Sequence, residues 1–375
     1  MRSINGGRSI KKKAKQPNTM LVLGAGASIG AKAYPTENSL FEGLRMPSSQ
    51  NFFYDIFDAR KHDKKSGRFL NTLGLTYENV NKFLVQAWGL KKNVGQFDPM
   101  EWRDINIEDV FTFLDVGEKM FNKGTSYHTA FSKSKKYLED FIRNVLAIRT
   151  DGQHCEHLIH LFGGLQPQDS IISFNWDTYA DYSLKWLGTP QFFTYLNMMS
   201  GHPIHIRTFA KKGVLLKLHG SFNWMVCDNK KCEAYLTPQL PMHKGSKELP
   251  RFASTGNDVC NICGCKSTKR FIVPPVSNKL IHENSFLHRM WLIARDKLSD
   301  TDRIVFIGYS FPPTDFYAEW LFRQIYFLIG KQQEIVVINP EMFKKNSLVS
   351  KRYNTIFRNH EIIKYKTLEE YVQGA

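Results

Sequence analysis

A histidine follows one of the most apolar strands that the sequence predicts. His219 comes directly after Val214 to Leu218 and is followed by Gly220. An imidazole titrates near neutral pH, so it can take up, hold or donate a proton. In an α/β sheet, the carboxyl ends of the strands border the crevice in which ligands bind. The position of His219 therefore indicates acid–base chemistry on a bound molecule.

A glycine turn follows the first predicted strand, Met20 to Leu23. The turn has the sequence Gly24-Ala25-Gly26-Ala27-Ser28. Main-chain amides of such a turn, at the start of a helix, can hold a pyrophosphate. A glycine turn alone is a weak signal, and it gains weight because His219 follows in the same chain. Together the two segments predict chemistry on a nucleotide.

Three more predicted strands, over residues 171–174, 303–308 and 334–339, also end on polar residues or glycine. These ends carry Asn175, Asp177, Gly308, Ser310 and Asn339. Each alone has a simpler explanation, since a polar residue after a strand is commonly a turn or a helix cap, and a lone histidine is commonly a core residue. In a parallel sheet, however, all the ends meet at one edge. We therefore expect them to line a single cleft.

The strands that carry these residues alternate with helical segments. This order predicts an α/β fold, a Rossmann-like, doubly wound parallel sheet, over residues 20–375. Residues of about 51–165 show mainly helical spacing of apolar residues and are too many for one crossover, so we predict a helical insertion there. Residues 1–19 are predicted to be a disordered basic tail.

The cysteines suggest a metal site. The chain has six cysteines, with pairs at Cys227-x4-Cys232 and Cys260-x2-Cys263. The polar stretch between the pairs has little to form a core, and four thiolates around zinc would fold it. We therefore predict a structural zinc module at about 225–270, held by these four residues, with Cys265 as a competitor of Cys263 for the fourth position.

The net charge of the 375-residue chain is +16. Several basic residues precede any acidic one: Arg2, Arg8, Lys11, Lys12, Lys13 and Lys15. Such a run is commonly a solvated tail, and the alternative is contact with nucleic acid or an acidic partner, for which no binding motif is present. No apolar run approaches the roughly 18 residues of a spanning helix, and no secretory signal begins the chain. We expect a cytoplasmic protein without membrane contact.

In their order along the chain, these motifs resemble the sirtuin family, and within it the bacterial NAD-hydrolysing branch of anti-phage defence. Gly24 to Ser28 is similar to the nucleotide loop of the family, Ser173-Phe174-Asn175-Trp176-Asp177 to its Thr-x-Asn-x-Asp strand end, and Leu218-His219-Gly220-Ser221 to its catalytic histidine motif. The later strand ends and the cysteines fall where the family has cofactor-binding residues and zinc. The resemblance covers about 20–363.

The resemblance implies that NAD is the substrate and that the bond between nicotinamide and ribose is cleaved. Residues Gly24 to Ser28 would hold the pyrophosphate, and Asn175 would position the attacking water or the nicotinamide ribose. Asp177 would orient Asn175 or the departing amide, and His219 would bond to the ribose hydroxyls as acid or base. The adenosine half would contact Gly308, Ser310 and Asn339.

One departure from the family distinguishes between reactions. Protein deacylases carry a Gly-x-Pro-x-Phe-Arg segment after the glycine loop, whereas this chain has Ala33-Tyr34-Pro35-Thr36-Glu37-Asn38. The missing Phe-Arg pair favours an NAD+ hydrolase that releases nicotinamide and ADP-ribose. An NAD-dependent deacylase or ADP-ribosyltransferase, and a nucleotide sensor without turnover, remain the alternatives.

The implied activity also predicts partners. Indiscriminate destruction of NAD would harm the host, so we expect the activity to be gated by homo-oligomerisation or by another protein. In the defence systems that the chain resembles, the companion is often a HerA-like ATPase or an Argonaute-type module. The basic arm from Arg2 to Lys15 is a predicted docking segment, or one that faces nucleic acid through such a partner.

Overall fold

The computed structural model describes residues 16–29, 46–49, 51–54, 56, 79–89, 102–103, 105–150, 154–188, 192–193, 213–233, 235, 237–239, 259–260, 262–266, 268–273, 281, 284–330 and 332–374. The basic residues 2–15 and the segment 33–38, on which two of the predictions depend, lie outside these ranges.

The strands form two sheets. Their bounds are β1 Thr19–Leu23, β2 Ser170–Ser173, β3 Phe192–Phe193, β4 Gly213–Lys217, β5 Gly220–Cys227, β6 Pro238–Gln239, β7 Thr268–Ile272, β8 Arg303–Ile307, β9 Glu334–Ile338 and β10 Ile362–Tyr365. The large sheet has seven strands in the order β10-β9-β8-β1-β2-β4-β3, and every neighbouring pair is parallel. The prediction of a doubly wound parallel sheet is confirmed.

Helices connect the strands. Their bounds are α1 Ala25–Ile29, α2 Ile107–Met120, α3 Ser126–Thr150, α4 Glu156–Gly163, α5 Tyr179–Leu187, α6 Ser285–Asp300, α7 Phe316–Gln324, α8 Leu348–Ile356 and α9 Leu368–Gly374. Residues 79–87 are also helical, a π-helical turn at Ile325–Ile329 follows α7, and a 3-10 turn at Pro340–Phe343 follows β9. Within the described part of the chain, no helix combines the length and apolar character needed to cross a membrane.

The centre of the large sheet is the main core. Leu21 of β1 pairs with Ile171 of β2 on one side and with Val305 of β8 on the other. All three side chains are almost completely buried. Strands of a parallel sheet are covered on both faces, so their sequences are continuous apolar runs rather than alternating patterns. This is why the sequence predicts these strands clearly.

Polar caps set where two of the longer helices begin. The side chain of Asn106 accepts a hydrogen bond from the amide of Glu108 at 2.9 Å, and α2 starts directly after Asn106. The side chain of Asn284 accepts from the amide of Leu287 at 2.9 Å in the same way before α6. Each cap satisfies an amide that has no partner inside its helix. The first cap also fixes Glu108 at the start of α2.

The small sheet has the order β6-β5-β7 and is antiparallel. Strand β5 begins at Gly220, immediately after His219. Gly220 has φ +74°, and a Cβ there would lie 2.3 Å from the main-chain oxygen of Phe271. The amide of Val273 donates to the main-chain oxygen of His219 at 2.8 Å. The turn at His219 therefore joins the two sheets.

Candidate functional site

A cleft lies at the carboxyl end of β1, where the strand order changes direction. From β1 the chain builds the sheet first on the side of β2 and later on the side of β8. Such a switch point leaves a crevice between the connections, and ligands bind there in α/β proteins. The cleft encloses about 890 Å³, with its open mouth included. Seven predicted site residues line it: Gly24, Ala25, Ser28, Asn175, Asp177, His219 and Ser310.

Two glycine-containing turns, after β1 and after β8, meet at the cleft. The amide of Gly26 donates to the main-chain oxygen of Gly308 at 2.9 Å. A Cβ on Gly26 would lie 2.6 Å from the Cα of Gly308, and one on Gly24 would lie 2.4 Å from the Cα of Tyr309. Gly308 also has φ +60°, a conformation that side chains disfavour. The glycines are therefore required for the close approach of β1 and β8.

Some of the main-chain amides that the sequence analysis predicts to bind a pyrophosphate are hydrogen-bonded within the protein. The amides of Gly24, Gly26 and Ala27 donate to the main-chain oxygens of Ile307, Gly308 and Gly24, at 3.0, 2.9 and 2.9 Å. Gly24, Ala25 and Ser28 are the residues of this turn that line the cleft. Gly26 and Ala27 build the turn beneath them. The turn is thus held in shape by the protein itself.

Asn175 is oriented by a chain of hydrogen bonds. Its side-chain nitrogen donates to the main-chain oxygen of Gly24 at 2.8 Å and to Ser28 Oγ at 2.9 Å. Ser28 Oγ in turn donates to Asp177 Oδ2 at 2.6 Å, and Asp177 Oδ1 accepts from the amide of Tyr179 at 3.0 Å. With its nitrogen held in this way, Asn175 has its carbonyl oxygen left as an acceptor for a ligand.

A buried lysine is hydrogen-bonded to the same group of residues. Lys217 is completely buried at the end of β4. Its Nζ donates to the main-chain oxygen of Asp177 at 2.5 Å, to Asp181 Oδ2 at 3.0 Å and to Ser221 Oγ at 2.6 Å. Burial is the largest influence on Asp177 and leaves its pKa raised, although the charge of Lys217 and the hydrogen bond from Ser28 act to lower it. Lys217 thus ties the β2 and β4 ends together.

His219 lies against a second carboxylate. Its Nε2 is 3.2 Å from Asp315 Oδ1, and the hydroxyl of Tyr309 donates to Asp315 Oδ2 at 2.5 Å. The ring of Phe174 stacks on Tyr309 at 4.5 Å and lies 5.0 Å from the ring of His219. Burial and then the charge of Asp315 raise the pKa of Tyr309 well above its usual value. The phenol therefore remains a hydrogen-bond donor.

Two residues of this group were missed by the sequence analysis. Asp315 precedes α7, where an aspartate is usually a helix cap, and Tyr309 lies between the predicted Gly308 and Ser310. No local sequence pattern connects either residue to His219. Asp315, for example, lies 96 positions from it. The one usable signal is that Tyr309 interrupts a polar strand end with a large aromatic ring.

The segment between β1 and β2 supplies a wall of the cleft. Glu108, at the start of α2, is buried, and its Oε2 accepts a hydrogen bond from the hydroxyl of Thr314. Both residues line the cleft, together with apolar side chains of the same segment such as Ile142 and Leu146 of α3. The helices that the sequence analysis predicts only as an insertion therefore take part in the site.

The end of β9 has a different role in the structure. The side chain of Asn339 accepts from the amide of Glu341 at 2.9 Å and so caps the 3-10 turn, and its own amide donates to the main-chain oxygen of Tyr365. Asn339 is absent from the described residues that line the cleft. Its assignment to the adenosine half stays a prediction.

The cysteines form a separate cluster at the end of β5. The sulfur atoms of Cys227, Cys232, Cys260 and Cys263 all lie within 4.8 Å of one another. The pairs Cys227–Cys263 and Cys232–Cys260 are each 3.7 Å apart. Sulfur atoms around zinc, with bonds of about 2.3 Å in a tetrahedron, are about 3.8 Å apart. The four cysteines therefore have the donor set and the spacing of a structural zinc site.

Cys265 also lies close to this cluster, with its sulfur 3.4 Å from that of Cys227. The hydrogen bonds from the amide and then from the thiol of Cys265 help to lower the pKa of the exposed Cys263 thiol to about 6. A thiol with a low pKa is readily available as a thiolate, the form that binds metals. The mutual spacing of the sulfur atoms of Cys227, Cys232, Cys260 and Cys263 favours Cys263 as the fourth ligand.

In comparisons with known proteins, the chain is similar to solved structures. No protein-family profile and no curated protein sequence matches the chain. A crystal structure of Sir2 in complex with the inhibitor EX-527, 2′-O-acetyl-ADP-ribose and a deacetylated p53 peptide is 13% identical, with 95% of this chain and 91% of that chain covered and a TM-score of 0.31. A structure of Sir2Tm bound to a propionylated peptide is 12% identical, with 96% and 91% covered and a TM-score of 0.33. These likenesses concern the backbone, so the side chains of the cleft must carry any conclusion about chemistry.

Proposed function

We propose that the chain is an NAD+ hydrolase. Water adds to C1′ of the nicotinamide ribose, the bond to the nicotinamide nitrogen breaks, and nicotinamide, ADP-ribose and a proton are released. One observation supports this most directly. The ends of β1, β2, β4 and β8 bring Ser28, Asn175, His219 and Ser310 to a single cleft, and the first two are joined by a hydrogen bond.

The charge of the cleft suits the transition state of this reaction. Cleavage of a glycosidic bond passes through an oxocarbenium-like state with positive charge on the sugar. Glu108, Asp177 and Asp315 all line the cleft. Fixed negative groups around a developing positive charge stabilise it more than water does. Nicotinamide leaves as a neutral molecule, so the site needs no acid for the leaving group.

Two residues would then position and deprotonate the attacking water. Asn175 would hold it through the side-chain carbonyl oxygen, because its side-chain nitrogen is engaged by Gly24 and Ser28. His219 would accept the proton, from the water or through a ribose hydroxyl. Asp177 would act through Ser28, as a group that keeps Asn175 oriented. Ser310, which lines the cleft two positions after Gly308, would contact the nucleotide.

The sequence favours hydrolysis over transfer to an acyl-lysine. The segment Ala33-Tyr34-Pro35-Thr36-Glu37-Asn38 lacks the Phe-Arg pair of deacylases. Because this pair is missing, we propose that water, and not an acyl-lysine, is the acceptor. The biological role we infer from the same resemblance is depletion of NAD+ in anti-phage defence.

The test is an assay of the full chain with NAD+, in which nicotinamide and ADP-ribose are separated by chromatography. His219→Ala and Asn175→Ala should each lower turnover by at least about a hundredfold, the scale of acid–base and positioning groups. His288→Ala is the matched control, because His288 is an exposed histidine of α6 outside the cleft lining. Full activity of His219→Ala would contradict the assignment.

Other outcomes would select the alternatives. Consumption of NAD+ only with an acyl-peptide, with O-acyl-ADP-ribose as product, would show a deacylase. Tight binding of NAD+ that remains intact after long incubation would show a nucleotide sensor.

We also infer that the activity is gated. The assay is therefore run on the isolated chain, whose oligomeric state is measured by light scattering, and again with a HerA-like ATPase. An isolated monomer that is fully active and tolerates deletion of residues 1–19 would contradict gating.

A further inference from the structure

We propose that Asp315 and Tyr309 are positioning residues that hold the imidazole of His219 in one orientation and with its proton on Nε2. The consequence for turnover rests on the proposed NAD+ hydrolysis, whereas the pairing itself does not. Both residues line the cleft, and we assign their effect to His219, which Asp315 contacts directly.

The carboxylate of Asp315 does not cap the helix that it precedes. Asp315 stands at the position before α7, yet its side chain makes no cap hydrogen bond there. It is 2% exposed. Instead, one oxygen faces His219 Nε2 at 3.2 Å and the other accepts the hydroxyl of Tyr309 at 2.5 Å. A buried carboxylate is costly unless it is hydrogen-bonded, so these contacts determine where it stays.

Tyr309 anchors this carboxylate to the core. Its ring is buried and stacks on Phe174, while its main-chain oxygen accepts a hydrogen bond from the hydroxyl of Tyr353 at 2.8 Å. Tyr353 is a completely buried residue of α8. The line from α8 through Tyr309 and Asp315 to His219 therefore consists of buried groups at each step.

This arrangement assigns different tasks to the two ring nitrogens of His219. With Nε2–H donated to Asp315, Nδ1 is the nitrogen that takes up a proton when the residue acts as a base. A carboxylate behind the ring both fixes the tautomer and stabilises the imidazolium once it forms. Among the described residues, Glu108 of α2 and Asp177 after β2 also line the cleft, and Lys217 lies at the end of β4 behind them. Lys217 Nζ is bonded to Asp177, Asp181 and Ser221.

The first experiment combines variants with kinetics. Asp315→Asn should lower kcat by at least about tenfold, with KM for NAD+ within about twofold of the wild type, because binding of the substrate is retained while proton transfer is not. In a His219→Ala background, Asp315→Asn should cause no further loss, since groups that act as a unit are not additive. Equal losses in both backgrounds would overturn the proposal.

A matched control separates positioning from stability. Asp169 is a similarly buried aspartate that accepts main-chain hydrogen bonds from Thr19 and Gln166, at the opposite end of β2. Asp169→Asn should lower thermal stability and leave kcat unchanged. Tyr309→Phe keeps the ring and removes only the hydroxyl, so it is the second variant if Asp315→Asn does not fold. It should lower kcat in the same direction, by less, and unchanged kcat would overturn the role of Tyr309.

A spectroscopic measurement tests the pairing without any turnover. The His219 ring nitrogens, followed by 15N NMR, should titrate at a lower pH in Asp315→Asn than in the wild type, because the imidazolium has lost its anionic neighbour. An identical titration in the two proteins would overturn the pairing. If the wild-type protein leaves NAD+ intact, the proposed function fails, and the NMR comparison still decides whether Asp315 holds His219.

Discussion

The cleft and the cysteine cluster both bring together side chains that are far apart in the sequence, but different forces hold them. The cleft stands on the ends of strands whose interiors form the main core, and β1 and β8 meet through a glycine contact. The cysteine cluster has its own small core of Cys227, Cys232 and Cys260, with Cys265 packed against it. A site built on a large apolar core is preorganised by the protein, whereas one with a core of sulfur depends on its metal.

The largest effect that follows from this comparison is the response to loss of zinc. A chelator in excess withdraws the ion and Cys227→Ser removes one of its ligands, so each should reduce bound zinc from about one ion per chain to none. The loss should destabilise the small sheet strongly, because structural zinc contributes roughly 10–16 kcal/mol in small domains. Hydrogen exchange should accelerate in β5 and β7 while β1 and β8 stay protected. Elemental analysis and exchange mass spectrometry measure the two outcomes.

The control for this experiment is Cys155→Ala, which removes a buried thiol outside the cluster. It should leave the zinc content unchanged. Exchange that accelerates as much in β1 as in β5 would break the comparison, because the two regions would then unfold as one unit.

The second prediction concerns the glycine contact of the cleft. Gly308→Ala should lower the free energy of unfolding by more than about 3 kcal/mol, because a Cβ would lie 2.3 Å from the Cα of Gly26. Gly330 is the matched control, since its φ of +59° is nearly the same and no described residue lies within 4 Å of its Cβ position. Gly330→Ala should cost only about 1 kcal/mol, the strain of the backbone alone.

Denaturant unfolding of the two glycine variants measures this difference. Similar losses in both would show that backbone strain alone, and not the approach of β1 to β8, requires Gly308. The zinc content should be unchanged in both variants, which keeps the two regions separate.

The smallest effect distinguishes the two candidate fourth ligands. Cys265→Ser should retain about one zinc per chain and lower the free energy of unfolding by less than about 1 kcal/mol, as expected for a half-buried residue outside the metal site. Cys263→Ser should weaken zinc binding strongly, because it removes a ligand with the right spacing. Competition with a chelator of known affinity measures both variants. The reverse result would make Cys265 the ligand.

The sequence predicts the central strands within about one residue of their observed bounds. Residues 214–218 were predicted where Gly213–Lys217 is observed, and 334–339 where Glu334–Ile338 is observed. Strands β3 and β10 and the small sheet were missed. Strand β10 has no buried residue, and Lys364 interrupts its apolar pattern, so an edge strand of this kind leaves little trace in the sequence.

For the site, the sequence by itself determined which residues could do chemistry. His219, Asn175 and Asp177 stand after apolar strands, and the cysteines have ligand spacing, because both patterns are local. Only the tertiary structure decided which partners these groups have. Asp315 lies 96 positions from His219, and Lys217 lies 36 positions from Asp181. Such pairings depend on how helices return to the sheet, and no periodicity in the chain records that distance.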